Sequence, residues 1–173
     1  MALVPPIEQT VDEVRAALAP LRNSLSVALF AHENAFSVGG IIRVAHSFLV
    51  REILILGTEP YYPKASMGMH RYENIRVLRD ADQLFEEADG RPVWAVEKER
   101  ATRSLYDPSP FPHDVILLFG SERGGLPSHV LDRSHAILGI PMYGINNSFP
   151  VSVAVGMVLA EWGRRRYRSG VTT

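Results

Sequence analysis

The chain has 173 residues, 46% of them hydrophobic and 21% charged, with 13 glycines and 12 prolines, so one compact domain with a continuous core is expected and widespread disorder is not. It contains no cysteine, which excludes disulfides, thiolate metal sites and cysteine nucleophiles together. A formal net charge of -1 argues against charge-driven nucleic-acid binding over the whole surface, so any such contact must be local.

The first 23 residues carry acidic side chains and no long apolar run, a pattern of neither a secretory signal nor a membrane span, and a cytoplasmic protein is the expectation. Val11, Val14, Leu18 and Leu21 recur at helical spacing, predicting a helix over Ile7 to Ala19 closed by Pro20. Residues 1–24 read as a helical extension, 25–168 as the main domain and 169–173 as a tail. Leu25 to Ala31 and Glu52 to Leu56 are short apolar runs typical of buried strands. Between them a helix is predicted from about Gly39 to Leu49, with Ile41, Val44, Ala45 and Phe48 inward and Arg43 on the opposite face. Tyr61 to Tyr72 reads as a loop or short irregular helix, Ala81 to Ala88 as a helix and Pro92 to Val96 as a strand. Three prolines make Asp107 to Pro112 a rigid loop, which leads into the strands Asp114 to Phe119 and Ala136 to Ile140. A long helix, roughly Pro150 to Arg166, closes the domain. Strands alternating with helices define an α/β fold around a mainly parallel sheet, with no internal repeat.

Three stretches carry chemistry. In Asn34 to Arg43 (NAFSVGGIIR), Asn and Ser can tie down a loop, paired glycines allow close backbone approach, and Arg43 is expected from the first turn of the helix. Leu118 to Leu126 (LFGSERGGL) follows a buried strand, where glycines permit a sharp turn with exposed amides. It is neither a Walker loop, nor a G-x-S-x-G elbow, nor a G-x-G-x-x-G dinucleotide site. Ile140 to Ala154 leads into the last helix, where Ser148 or Asn147 is a candidate cap with Pro150 in the first turn. That helix shows an apolar stripe (Val151, Val155, Val158, Trp162) and a stripe of small residues (Gly156, Ala160, Gly163), the second suited to close contact within the chain or across a dimer. Arg164, Arg165, Arg166 and Arg168 end it, and on their own they read as a solvated helix end. His32, His46, His70, His113, His129 and His135 show no ligand spacing, so no metal is expected.

In this order the three stretches resemble the signature motifs of the SpoU/TrmH family of the SPOUT superfamily, over roughly Leu25 to Arg166. The resemblance implies a mainly parallel sheet flanked by helices with a deep C-terminal trefoil knot, a homodimer, and S-adenosylmethionine as cofactor for methyl transfer to a ribose 2′-hydroxyl of RNA. It implies a cofactor pocket of Val96, Glu97, Leu118, Phe119, Gly120, Ser121, Glu122, Ile140, Met142, Ser148 and Phe149. Arg43, Glu122 and Ser148 match its catalytic positions. Asn34, Ser37, Arg43, Arg164, Arg165, Arg166 and Arg168 are the RNA-binding candidates, with tRNA favoured over rRNA because no domain-sized segment precedes Leu25. Ser37 stands where the first motif often has asparagine and Pro150 where the third often reads Ser-Leu-Asn. Those departures keep open a catalytically quiet relative that binds RNA or cofactor, and the acceptors of other SPOUT branches keep open a base-methylating enzyme. A neutral guanidine at pH 7 costs roughly 7 kcal/mol, so Arg43 is expected to grip phosphate and oppose alkoxide charge more than to act as a free base.

Overall fold

The computed structural model describes residues 8–31, 35–58 and 60–166. Its frame is a seven-stranded parallel sheet: β1 (Ser26–Phe30), β2 (Ile53–Leu56), β3 (Ile75–Leu78), β4 (Val93–Val96), β5 (Arg103–Ser104), β6 (Ile116–Phe119) and β7 (Ala136–Gly139), in the spatial order β3-β2-β1-β6-β4-β7-β5. The central strands are continuous apolar runs because both faces of the sheet are covered, as a parallel sheet requires.

On one face Val27, Leu29, Ile53, Ile55, Leu117 and Phe119 pack against α2 (Ala35–Ser47) and α5 (Val151–Arg166) through Ile41, Ile42, Val155, Val158, Leu159 and Trp162. On the other, Ala28, Leu54, Leu56, Val93, Ala95 and Leu118 meet α3 (Ala81–Glu87) and α4 (Ser128–Arg133) through Leu84, Val130 and Leu131. The period-2 alternation of strand side chains divides the two cores. Among the described residues no helix is long and apolar enough to cross a membrane.

The N-terminal helix, α1, spans Val11–Leu18 and starts later than periodicity alone suggests. Thr10 and Glu13 form a capping box that sets its first residue, and a 3-10 turn over Ala19–Leu21 carries Pro20 beyond its end. The expected position Ile7 lies outside the described residues. Arg22, just after this turn, donates to buried Glu73 at 2.8 Å, and Nδ1 of His46 on α2 lies 2.7 Å from the same carboxylate. Burial pushes the Glu73 carboxyl up, but the hydrogen bonds from His46 and Arg22 outweigh it and hold the group below its ordinary value. A hydrogen-bonded triad of Arg22, Glu73 and His46 thus pins the segment after α1 to the helix that carries the first motif.

Candidate active site

Helix α2 begins at Ala35, four residues before the sequence periodicity suggests, so Ser37 occupies its first turn and Arg43 its third. Gly39 explains the difference. A Cβ there would lie 2.5 Å from Ala65 Cβ and 2.9 Å from the Tyr62 carbonyl oxygen, so only glycine lets the 60–66 loop rest on this turn. Gly40 faces α5, where its missing Cβ would sit 3.9 Å from Ser152 Cβ. The first and third motifs are therefore neighbours across α2 and α5.

The second motif forms a tight hairpin after β6. Ser121 N–H donates to the Gly125 carbonyl at 3.2 Å, Gly125 N–H returns to the Ser121 carbonyl at 3.1 Å, and Ser121 Oγ accepts from Gly124 N–H at 3.1 Å. Gly125 has a φ of +58°, which favours glycine. Glu97, just after β4, braces the hairpin by accepting from Leu126 N–H at 3.3 Å. The hairpin reaches the first motif through Ser37 Oγ, which donates to Glu122 Oε1 at 2.7 Å.

Between the β4 and β6 loops and the start of α5 lies a cavity of about 390 Å³, within the usual range for small-molecule sites. Val96, Glu97, Phe119, Gly120, Ser121, Glu122, Ile140, Met142, Ser148 and Phe149, all expected at the cofactor, line it. Leu118 does not: strand alternation puts its fully buried side chain in the core beneath α3 and α4. The sequence reading missed Lys98, Glu99, Arg100, Arg123 and Ser128, which add charge and hydroxyl donors to the wall. Their signal was position, since loops after the carboxyl ends of parallel strands are where α/β proteins bind ligands. Lys98 Nζ donates to Asn147 Oδ1 at 3.4 Å and Arg100 pairs with Asp132 at 2.6 Å. A narrow cleft lined by Leu29, Phe30, Ser37, Val38 and Ile41 shares Gly120, Ser121, Glu122 and Val151 with the cavity. Here all three motifs converge.

Arg43 lines neither space. It is exposed on α2 with no side-chain ion pair or hydrogen bond among the described residues, two helical turns beyond Phe36 on the same face. Pro150 also differs from expectation. Its carbonyl accepts from Val153 and Ala154 N–H at 2.9 and 3.0 Å, so proline itself precedes the helix and α5 starts at Val151, with no hydrogen bond among the described residues from the Ser148 or Asn147 side chain to its first turn.

The arginine tail divides. Arg165 is held by the fold: its side chain is 16% exposed, bonds Glu161 at 2.7 Å, donates to the Ser109 carbonyl at 2.6 Å and to the Leu105 carbonyl, and lies over Phe111. Arg164 is 70% exposed but forms a two-point contact with Glu161, whose carboxyl the two arginines hold at about 2. Arg166 covers the Trp162 ring. Asn34 and Arg168 lie outside the described residues.

A parallel α/β sheet with a cavity at the carboxyl ends of β4, β6 and β7, walled by the second and third motifs and tied to the first through Ser37 and Glu122, defines a class of ligand-binding α/β domain. More narrowly, the chain belongs to the SpoU rRNA Methylase family, whose profile matches residues 24–160. It is 28% identical over 117 residues to the tRNA (guanosine(18)-2'-O)-methyltransferase of Thermus thermophilus, covering 66% of this chain and 60% of that protein. A structure concerned with 2-OH methylation of C/U34 on tRNA superposes with a TM-score of 0.74 at 27% identity, over 82% of this chain and 95% of the other. An AdoMet-bound rRNA methyltransferase from Sinorhizobium meliloti superposes with a TM-score of 0.75 at 25% identity, over 90% of this chain and 61% of that one. The chain spans 60% of the length of the Thermus enzyme and 56% of a TrmH family protein of Bacillus subtilis to which it is also similar.

Proposed function

We propose that the protein transfers the methyl group of S-adenosylmethionine to a ribose 2′-hydroxyl of RNA, with tRNA favoured. The observation that carries this reading is the cavity itself, which gathers the second and third motifs and is tied to the first by the Ser37–Glu122 hydrogen bond. Its residues fit the cofactor's chemistry: Val96, Ile140 and Phe149 offer apolar walls to a flat base, Glu97 and Glu122 offer carboxylates to a cation, and Lys98 and Arg123 offer positive charge to a carboxylate. When bound, S-adenosylmethionine supplies an already electrophilic methyl group.

The protein's own task is then to align an oxygen and help it lose a proton. Arg43, on the exposed face of α2 beside the third motif, holds an RNA phosphate and opposes negative charge growing on the ribose oxygen. Glu122 is held in place by Ser37, and Ser148 in the cavity wall completes the polar set. We assign the knot to the chain after β6, because β6 lies between β1 and β4 and the hairpin that follows it is braced by the β4 loop. A homodimer is supported by α5, where Val153, half-exposed Gly156 and Ala160 form one open face, and by Tyr143 and Ile145, which are exposed just before it.

Labelled S-adenosylmethionine, total RNA and digestion to nucleosides test the reaction. A 2′-O-methyl ribose is expected; a methylated base, or no transfer, overturns the assignment. Arg43→Ala is expected to lower turnover by about 10²–10³, as for loss of one charge-stabilising donor, and Arg43→Lys to keep part of it. Cofactor affinity stays unchanged in both, and its loss in Arg43→Ala would show that Arg43 has a different role.

A further inference from the structure

Two large aromatic rings stand exposed beside the first motif. Phe36 is 66% exposed and Tyr62 39%, with ring centroids 4.8 Å apart. Aromatic side chains of this size usually contribute through burial, so a pair this exposed to solvent next to a functional site points to a ligand that stacks on it. The pair is also held in place. Gly39 brings the Tyr62 main chain onto the first turns of α2 with no room for a side chain between them, so the loop has one seat. Phe36 is followed directly by Ser37, the donor to Glu122.

The same helix face orders the polar groups. Phe36 and Arg43 are seven residues apart in α2, which puts them on one face about 10 Å apart along the axis. Gly40 lies between them without a side chain and abuts Ser152 at the start of α5, so the face is aromatic at one end, bare in the middle and cationic at the other. Lys64, exposed on the turn after Tyr62, adds a second cation at the aromatic end. An RNA strand offers the complement of this order, flat bases alternating with phosphates.

We propose that Phe36 and Tyr62 form a stacking platform for one unpaired base of the RNA, seated on the α2 face so that Arg43 meets a neighbouring phosphate. The platform rests on the RNA methyltransferase reading above and makes these two residues positioning groups for the substrate. Stacking on an aromatic ring is largely blind to base identity, so the pair favours an unpaired base over a helical one and leaves sequence choice to other contacts.

The test compares binding of a short oligoadenylate with an abasic ribose-phosphate oligomer of equal length and charge, using the full chain. The wild type is expected to prefer the oligoadenylate by roughly 5- to 100-fold in Kd, the worth of one stacked base. Phe36→Leu, which keeps apolar bulk but removes the ring, loses most of that preference, and Phe36→Trp restores it, while affinity for S-adenosylmethionine is unchanged in both. Tyr62→Leu provides the same reading if the Phe36 variants do not fold. Equal wild-type binding of the two oligomers, or an unchanged preference in Phe36→Leu, overturns the platform. Methyl transfer by the wild type to total RNA is measured in parallel: transfer with no base preference removes the platform alone, whereas a base preference without transfer removes the enzymatic reading and with it the proposed role in positioning substrate.

Discussion

Gly120→Ala tests whether the hairpin after β6 builds the cofactor cavity. A Cβ at this position would lie 2.4 Å from the Gly125 carbonyl carbon, 2.5 Å from its oxygen and 2.8 Å from Leu126 N, where ordinary contact begins at 3.4 Å. All three neighbours are backbone, so no side-chain rotation relieves the clash and the two limbs must part by about 1 Å or carry strain. Parting them sacrifices the paired Ser121–Gly125 hydrogen bonds of 3.2 and 3.1 Å, at about 1 kcal/mol each. Retaining them costs about 1–3 kcal/mol of overpacking. Either way the loss is about 2 kcal/mol, a fall in Tm of about 4–8 °C for a chain of this size. Residues 121–126 form one side of the cavity, so affinity for S-adenosylmethionine is expected to fall at least about tenfold, equivalent to 1.4 kcal/mol. Calorimetric titration and thermal melting measure both. Wild-type affinity with an unchanged Tm would refute the steric reasoning and the role of the hairpin together.

Two further substitutions probe the frame around the site. Glu73→Gln leaves the Arg22 guanidinium, whose side chain is 9% exposed, without its counter-charge, and urea unfolding at neutral pH should show a loss of about 3 kcal/mol or more. Because the folded Glu73 carboxyl lies below its ordinary 4.5, its share of stability is present above about pH 4.5 and lost as pH falls through the lowered folded value. The gap between wild type and Glu73→Gln should therefore narrow toward acid, and a gap independent of pH would contradict the assignment. Ala160→Arg places a cation on the open α5 face that Val153 and Gly156 share; sedimentation should show the Kd of the proposed homodimer raised by about 30-fold or more, and unaltered association would remove α5 from the proposed interface.

Much of this architecture was legible because of its physics. Strands buried on both faces read as unbroken apolar runs, so β1, β2, β4, β6 and β7 were visible in sequence. Strand β3 was not, since Arg76 and Val77 are exposed at the sheet edge. Two-residue β5 and six-residue α4 are too short for either period to register. The start of α2 was misplaced because paired glycines lower helix propensity, while the reason Gly39 is tolerated, the loop resting on it, is a tertiary contact. Arg165 shows the same limit. Four arginines in five positions read as a charged surface, yet the carbonyls of Leu105 and Ser109 that capture this one come from a loop distant in sequence. The side chain of Leu118 faces the core and not the cavity, a distinction from Phe119 that alternation alone makes.

The two departures from the family pattern can now be weighed by what each residue does. Ser37 supplies a hydrogen-bond donor to Glu122 at 2.7 Å, the same kind of group that an asparagine amide would offer. Pro150 supplies its carbonyl to the first turn of α5, and at a helix start its missing N–H leaves no bond broken. What proline cannot supply is one side-chain hydrogen bond, worth about 1 kcal/mol, or about fivefold in rate or affinity. A charge-stabilising guanidinium in the role proposed for Arg43 is worth about 10²–10³, and Arg43 is present with an open face before it. A loss of the smaller term tunes an enzyme; only loss of the larger one would silence it, and this weighs against a catalytically quiet relative.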